Sequence, residues 1–278
     1  MAVAADKSVS IRGSDTELIL NEELAGAYRR AHPGVTIHVE GGGSSLGIRG
    51  LLAGEVDIAA ASRPITAGEL ATFTRRFGTK PLEVPVALDG IGVYVHNANP
   101  VTELTLEELR GIFTGKIHRW GEVGGVNRPI VIFNRNRQSG TNALFREQVL
   151  RGEAYTDSAT TVSTTSAMVA AVSRNQGGIG YGGVAYAVGC HVIRIVNPET
   201  GEPVWPNEED VAAGRYPLSR TLYYYAHREA LSPQARAFID WVRSDAGQRV
   251  VTFVGYFPLP GLRATPLPEG GNRTPRTR

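Results

Sequence analysis

One construction recurs three times along this chain and restricts what it can fold into: a short apolar strand, a turn of small hydrogen-bonding residues, and the start of a helix with an apolar face. Its fullest form runs through Asn134-Arg135-Asn136-Arg137-Gln138-Ser139-Gly140-Thr141, between the strand residues Val131, Ile132 and Phe133 and a helix read over Asn142–Leu150. Ser139, Gly140 and Thr141 stand where the first turn of a helix leaves its backbone N–H groups without intrahelical acceptors. Those N–H groups, the neighbouring hydroxyls and the positive end of the helix dipole favour an anion. Arg135, a few residues upstream, is a two-pronged donor suited to the same oxygens. An ordinary N-cap beside a solvated arginine accounts for one such junction; repetition argues against that reading for all three.

The first junction follows a strand over Ser8–Arg12. Gly13-Ser14-Asp15-Thr16-Glu17 leads into Leu18, Ile19, Leu24, Ala27, Tyr28 and Ala31 at helical spacing, with Ser14 and Glu17 fitting a capping box and Pro33-Gly34 ending the helix. The second follows a strand over Val35–Glu40. Gly41-Gly42-Gly43 permit close backbone approach, and Ser44 and Ser45 open a short helix through Leu52. No Gly-Lys-Ser/Thr follows and the GxGxxG order is missing, so neither a Walker loop nor a dinucleotide fingerprint is present. A third strand, Val56–Ala61, ends in Ser62-Arg63-Pro64, at the strand end where α/β folds bind ligands. Arg63 is also placed to pair with Asp57 or another carboxylate.

Further along, strands are expected at Leu82–Ala87 and Ile91–His96 around Leu88-Asp89-Gly90, which reads as the crossing into a second lobe. Thr66/Glu69 and Thr105/Glu108 are capping boxes, and Trp120 reads as a packing residue. Ser163-Thr164-Thr165-Ser166 caps a helix to Arg174. Arg220–His227 is the returning strand, and Ser232-Pro233 begins one long helix to Phe253.

Composition narrows the function. A chain of 278 residues with 42% hydrophobic content suffices for a large core and two lobes. The net charge is +2, of which the tail Leu262–Arg278 contributes +3, so the remainder gives no electrostatic case for nucleic acid. The single Cys190 excludes an internal disulfide and a cysteine metal cage, and the six histidines are scattered, so neither metal nor cofactor is expected. There is no run of about 20 apolar residues to span a bilayer, and neither a signal peptide nor a lipid-attachment cysteine is read near the start. The Pro-, Gly- and Arg-rich stretch 262–278 is expected to be a flexible tail.

Taken together and in this order, Gly13-Ser14-Asp15-Thr16, Gly41-Gly42-Gly43-Ser44-Ser45, Val56-Asp57-Ile58-Ala59-Ala60-Ala61-Ser62-Arg63, Leu106–Trp120 and Arg135–Thr141 resemble the phosphate-binding proteins of ATP-driven phosphate importers. These are the PstS type of periplasmic solute-binding protein, and the resemblance covers about residues 8–260. It implies a two-lobed α/β fold with a two-strand hinge, at about Ala87–Ile91 and Pro217–Thr221, and a ligand cleft between the lobes. Residues 1–88 with 222–261 would form the first lobe and 89–221 the second.

Carried over by position, phosphate contacts would come from Ser14, Asp15, Thr16, Ser44, Ser45, Ser62 and Arg63 on one side. Arg135, Ser139, Gly140 and Thr141 would close the site from the other. Some relatives carry an aspartate at the position of Arg63, where it accepts the proton of hydrogen phosphate and so disfavours sulfate. Arg63 would instead add positive charge, leaving Asp15, or else Asp57, to act as acceptor. The implied partners are inorganic phosphate and a membrane ABC permease, with a monomeric receptor in the periplasm or otherwise at the cell envelope. Open alternatives are a receptor for sulfate, molybdate or arsenate, a phosphate-sensing protein, and a phosphatase using Ser139. The last has no histidine base nearby in sequence and no nucleophile-elbow pattern.

Overall fold

The computed structural model describes residues 8–261. The expected flexible tail, 262–278, lies outside the described residues. The chain alternates strands and helices in the order β1 (Ser8–Gly13), α1 (Leu18–Ala31), β2 (Thr36–Glu40), α2 (Ser44–Ala53), β3 (Ile58–Ala61), α3 (Ala67–Phe77) and β4 (Leu82–Val95). The middle of the chain adds β5 (Glu103–Leu104), α4 (Leu106–Phe113), β6 (Val131–Arg135), α5 (Gly140–Gln148), β7 (Thr160–Val162), α6 (Thr165–Ser173), β8 (Gly178–Gly183) and β9 (His191–Val196). It closes with β10 (Pro203–Val204), α7 (Glu208–Ala212), β11 (Ser219–Ala226), α8 (Pro233–Val242) and α9 (Asp245–Val254).

The strands run in the order β2-β1-β3-β11-β4-β8-β6-β7, with β9 also pairing β4. β1 is parallel to β2 and β3, and β6 is parallel to β7 and β8, as expected where helices return the chain to the same end of a sheet. β11 and β4 lie antiparallel between these two parallel groups.

Apolar residues collect on either side of that junction. One core takes Val9, Ile11, Leu20, Leu24, Val86, Leu222, Phe238 and Val251, packing α1, α8 and α9 on the first group of strands. α2 and α3 cover its other face through Ile48, Leu51 and Phe73. The second core takes Ile91, Val93, Phe113, Phe145, Ile179, Tyr181 and Leu218. α6 covers its reverse face through Met168, Val169 and Val172. Trp120 is buried in the second core and donates its indole N–H to Gly177 O at 3.0 Å, in keeping with a packing role.

Three local expectations are corrected. Leu88-Asp89-Gly90 does not separate two strands. β4 runs through it without a break, because Leu88, Asp89 and Gly90 pair with Thr221, Arg220 and Ser219 of β11. One strand therefore serves both cores. The helix expected from Ser232 to Phe253 is two helices, broken at Arg243-Ser244. Ser244 caps the second through Gly247 N–H, and Gln248 Nε2 donates to the freed Val242 carbonyl at 3.0 Å. The Ser14–Glu17 capping box does not form. Glu17 itself occupies the cap position of α1 with no side-chain cap bond, and its carboxyl is buried. By contrast, the boxes Thr66/Glu69 and Thr105/Glu108 are complete.

Candidate functional site

The three strand-to-helix junctions meet where the two cores face each other. Ser44 opens α2 after Gly43, which holds φ +103°. A Cβ on Gly43 would stand 2.5 Å from Gln138 O, so only glycine lets the two loops approach this closely. Ser45 N–H donates to that same carbonyl at 3.2 Å. Ser44 Oγ accepts from Ser62 N–H at 3.1 Å and lies 3.3 Å from Ser62 Oγ. Gly140, the first residue of α5, faces this serine pair. A Cβ there would meet Ser44 Oγ at 2.3 Å and Ser62 Oγ at 2.8 Å.

The next residue, Thr141, brings its Oγ1 to 2.9 Å from Thr16 Oγ1. Ser139 caps α5, with its hydroxyl accepting from Asn142 N–H at 3.2 Å. As the opening residues of their helices, Ser44, Gly140 and Thr141 present N–H groups that have no intrahelical acceptor.

Two buried ion pairs flank this ring of small donors. Arg135, at the end of β6, gives Nη2 to Asp15 Oδ2 at 2.7 Å, and the two side chains are 1% and 6% exposed. Its Nη1 donates to Thr165 Oγ1 at 2.9 Å and its Nη2 also reaches Ser163 O at 3.0 Å, while Nε is buried with no hydrogen-bond partner. Burial pushes the Arg135 guanidinium below its usual range, and the Asp15 charge opposes that. Asp15 Oδ1 accepts from Gly42 N–H at 2.9 Å. The second pair joins Arg220 of β11 to Asp89 of β4, at 2.6 Å from Nη2 and 2.9 Å from Nε. Burial pushes the Asp89 carboxyl above its usual range, and the Arg220 charge and hydrogen bonds offset only part of that rise.

Most of the residues expected from the sequence come together. Asp15, Thr16, Ser44, Ser62, Arg135, Gly140 and Thr141 form one connected network, and Ser139 stands behind it as a cap. Ser14 is buried beside them with its hydroxyl unpaired. Ser45 and Arg63 lie one step aside. Arg63 does not add free positive charge, as was expected of it, because its guanidinium makes a two-pronged pair with Glu69, at 2.8 Å on each oxygen, and donates to Ser45 Oγ at 3.0 Å. Burial alone would raise the Glu69 carboxyl, but hydrogen bonds from Arg63 and Thr66 hold it below the usual range.

Arg63 thus pairs with a carboxylate, as one reading of the sequence allowed, but the partner is Glu69 and not Asp57. Asp57 accepts from Ser10 N–H and Oγ at 2.8 and 2.7 Å, at the opposite end of β3 from Ser62, so it is too remote to act on a ligand among these residues. In the Ser163–Ser166 stretch, Thr164 caps α6, while Ser163 and Thr165 turn acceptors toward Arg135.

Three buried ionisable groups near the network were not read from the sequence as site residues: Arg220, Asp89 and Glu17, the last read only as part of a capping box. The signal for the first two was a charge within each of two strand-forming runs: Asp89 in the apolar stretch VPVALDGIGVYV and Arg220 in SRTLYYYA. Glu17 is fully buried with neither oxygen hydrogen-bonded, and burial pushes its carboxyl well above the usual range.

A family model for the PBP superfamily domain matches residues 2–246. The phosphate-binding protein PstS of Pseudomonas aeruginosa is 32% identical over 269 residues, spanning 91% of this chain and 83% of that protein. PstS of Bacillus subtilis is 29% identical over 263 residues, with 94% and 84% covered. Among solved structures, a phosphate ABC transporter substrate-binding protein from Clostridium perfringens, with phosphate bound, superposes with a TM-score of 0.83 at 31% identity, covering 91% of this chain and 99% of that one. An ABC-type phosphate transport receptor from Vibrio cholerae gives 0.72 at 28% identity, with 90% and 99% covered. The chain belongs to the PBP superfamily and, within it, to the family of PstS phosphate-binding proteins.

Proposed function

We propose that the chain binds inorganic phosphate among Ser14, Asp15, Thr16, Ser44, Ser62, Arg135, Ser139, Gly140 and Thr141 and delivers it to an ABC-type importer. The observation that carries this reading is the buried Arg135 guanidinium with an unpartnered Nε, beside two helix starts whose first N–H groups lack intrahelical acceptors. Membership of the PstS family supports phosphate over other anions. Each charge-assisted hydrogen bond contributes about 1.5–3 kcal/mol net. A micromolar receptor needs roughly 8 kcal/mol, which several such bonds supply after ordering costs.

Asp15 is the proton acceptor in this reading. Each of its oxygens takes one donor, from Gly42 and from Arg135, and each keeps a lone pair for the O–H of hydrogen phosphate. Sulfate, which carries no proton at neutral pH, meets a carboxylate there. Asp15→Asn is therefore expected to lower the preference for phosphate over sulfate, and an unchanged preference removes Asp15 from this role.

The receptor is not an enzyme on this account. The Ser139 hydroxyl is engaged as a helix cap, and no histidine takes part in the network. Failure to hydrolyse a chromogenic phosphate ester is expected. The lobes are divided at the β4–β11 junction, with hinge motion there opening the cleft. The protein acts as a monomer at the cell envelope. Among the described residues no helix is long and apolar enough to cross a membrane.

A further inference from the structure

Arg220 belongs to neither parallel group of strands. It lies on β11, next to β4, where the two cores join, and its side chain is 2% exposed. Nε and Nη2 both bind Asp89 Oδ2, while Nη1 donates to Thr141 Oγ1 at 2.8 Å and to Ser62 O at 3.3 Å. Asp89 is fixed in turn by Val184 N–H on Oδ1 at 3.2 Å. A guanidinium only donates. Thr141 Oγ1 must therefore accept from Arg220, and the Thr141 proton points elsewhere.

The neighbouring hydroxyl is Thr16 Oγ1, at 2.9 Å. Whichever threonine donates to the other, one hydroxyl proton of the pair is left over, polarised by the cation behind it. The pair Asp89–Arg220 adds no net charge, so it orients this donor without adding a fixed positive charge.

We propose that Arg220 is a positioning residue for phosphate capture: anchored by Asp89, it fixes the Thr141–Thr16 hydroxyl pair so that one proton faces the bound oxyanion, and it ties that pair to both strands running between the cores. This rests on the phosphate reading above. Occupancy of the site and the geometry of the β4–β11 junction are then coupled through a single side chain.

The test is a double-mutant cycle read by calorimetric titration with inorganic phosphate, on wild type, Thr141→Val, Asp89→Asn/Arg220→Gln, and all three changes together. The paired replacement avoids leaving a buried, unpaired carboxylate. It is expected to weaken phosphate binding about tenfold in the wild-type background and less than about twofold when Thr141 is already valine, since residues acting through one contact are not additive. Equal losses in both backgrounds, or no loss in the first, overturn the proposal.

Thermal unfolding without phosphate shows whether each variant is folded. Should the paired replacement fail to fold, Arg220→Lys keeps the charge but cannot span both Asp89 and Thr141. The same Thr141-dependent loss is expected of it, and an additive loss overturns the proposal equally. Wild-type protein that takes up no phosphate would instead refute the functional reading and remove this inference with it. Wild-type binding with an additive cycle would refute the role of Arg220 alone.

Discussion

The Arg135 guanidinium meets the Asp15 carboxylate at 2.7 Å, across the gap between the two cores. The arginine ends β6 in the second core, and the aspartate follows β1 in the first. The contact does two things at once. It pairs both charges in a buried setting, and it holds the guanidinium in a position where Nε has no hydrogen-bond partner.

Arg135→Ala removes the cation and leaves Asp15 facing the anion alone. Truncating one partner of a buried charged pair costs about 2–5 kcal/mol. Phosphate affinity should fall at least about tenfold by calorimetry. Unchanged affinity would take Arg135 out of the site.

Arg63 should behave differently, although both arginines stand near the same serines. Glu69 already holds both prongs of its guanidinium. Arg63→Ala is therefore expected to change phosphate affinity by well under about tenfold, the equivalent of 1.4 kcal/mol. A loss as large as that of Arg135→Ala would show that the Arg63 charge reaches the ligand despite its carboxylate.

Gly140 is a point of close approach between the two sides of the cleft. The methyl of Gly140→Ala would stand 2.3 Å from Ser44 Oγ and 2.8 Å from Ser62 Oγ, a clash relieved by turning these hydroxyls out of place or by moving the α2 and α5 starts apart. Each core packs without this contact, so thermal stability should change little while phosphate binding falls about tenfold or more. Wild-type affinity in the variant would mean that the helix starts need not close to this distance.

Glu17 should make stability depend on pH in a definite direction. Burial raises its carboxyl in the folded state, with Arg220 and Ser14 opposing and Asp89 adding to the rise. Tyr224 is the other titratable group in its field. The folded protein therefore holds a proton that the unfolded chain has released above the ordinary carboxyl range. Stability is full below that range and is lost as pH rises toward the folded value. Relative to Glu17→Gln, wild type should lose up to about 1.4 kcal/mol per pH unit across this window, measured by denaturant unfolding. Parallel pH profiles for the two proteins would contradict a protonated Glu17. Asp89 titrates in both proteins and drops out of the difference.

Local chemistry in the sequence announced much of this site. Ser139, Gly140 and Thr141 were legible because a cap, a glycine and a hydroxyl after an apolar strand have few other uses. The boxes at Thr66 and Thr105 were legible for the same reason. Asp89 was not singled out, because Leu88-Asp89-Gly90 interrupts the apolar pattern and reads as a break between two strands. Its strand conformation comes from pairing with β11, more than a hundred residues away, and no local pattern encodes that pairing. Arg63 was misjudged in charge because the sequence showed the arginine but not that Glu69, serving its own capping box, would also reach it. Glu17 looked like half of a capping box because its spacing from Ser14 fits one. The helix begins three residues later than that box requires, with Glu17 rather than Ser14 at the cap position, and the carboxyl is buried.

The most direct measurement is calorimetric titration of phosphate-stripped protein with inorganic phosphate, repeated in excess sulfate. Tight one-to-one binding that survives sulfate is the expected result, and it would establish a phosphate receptor whose proton acceptor works without an aspartate at the Arg63 position. Binding abolished by sulfate, or no binding at all, would contradict the account.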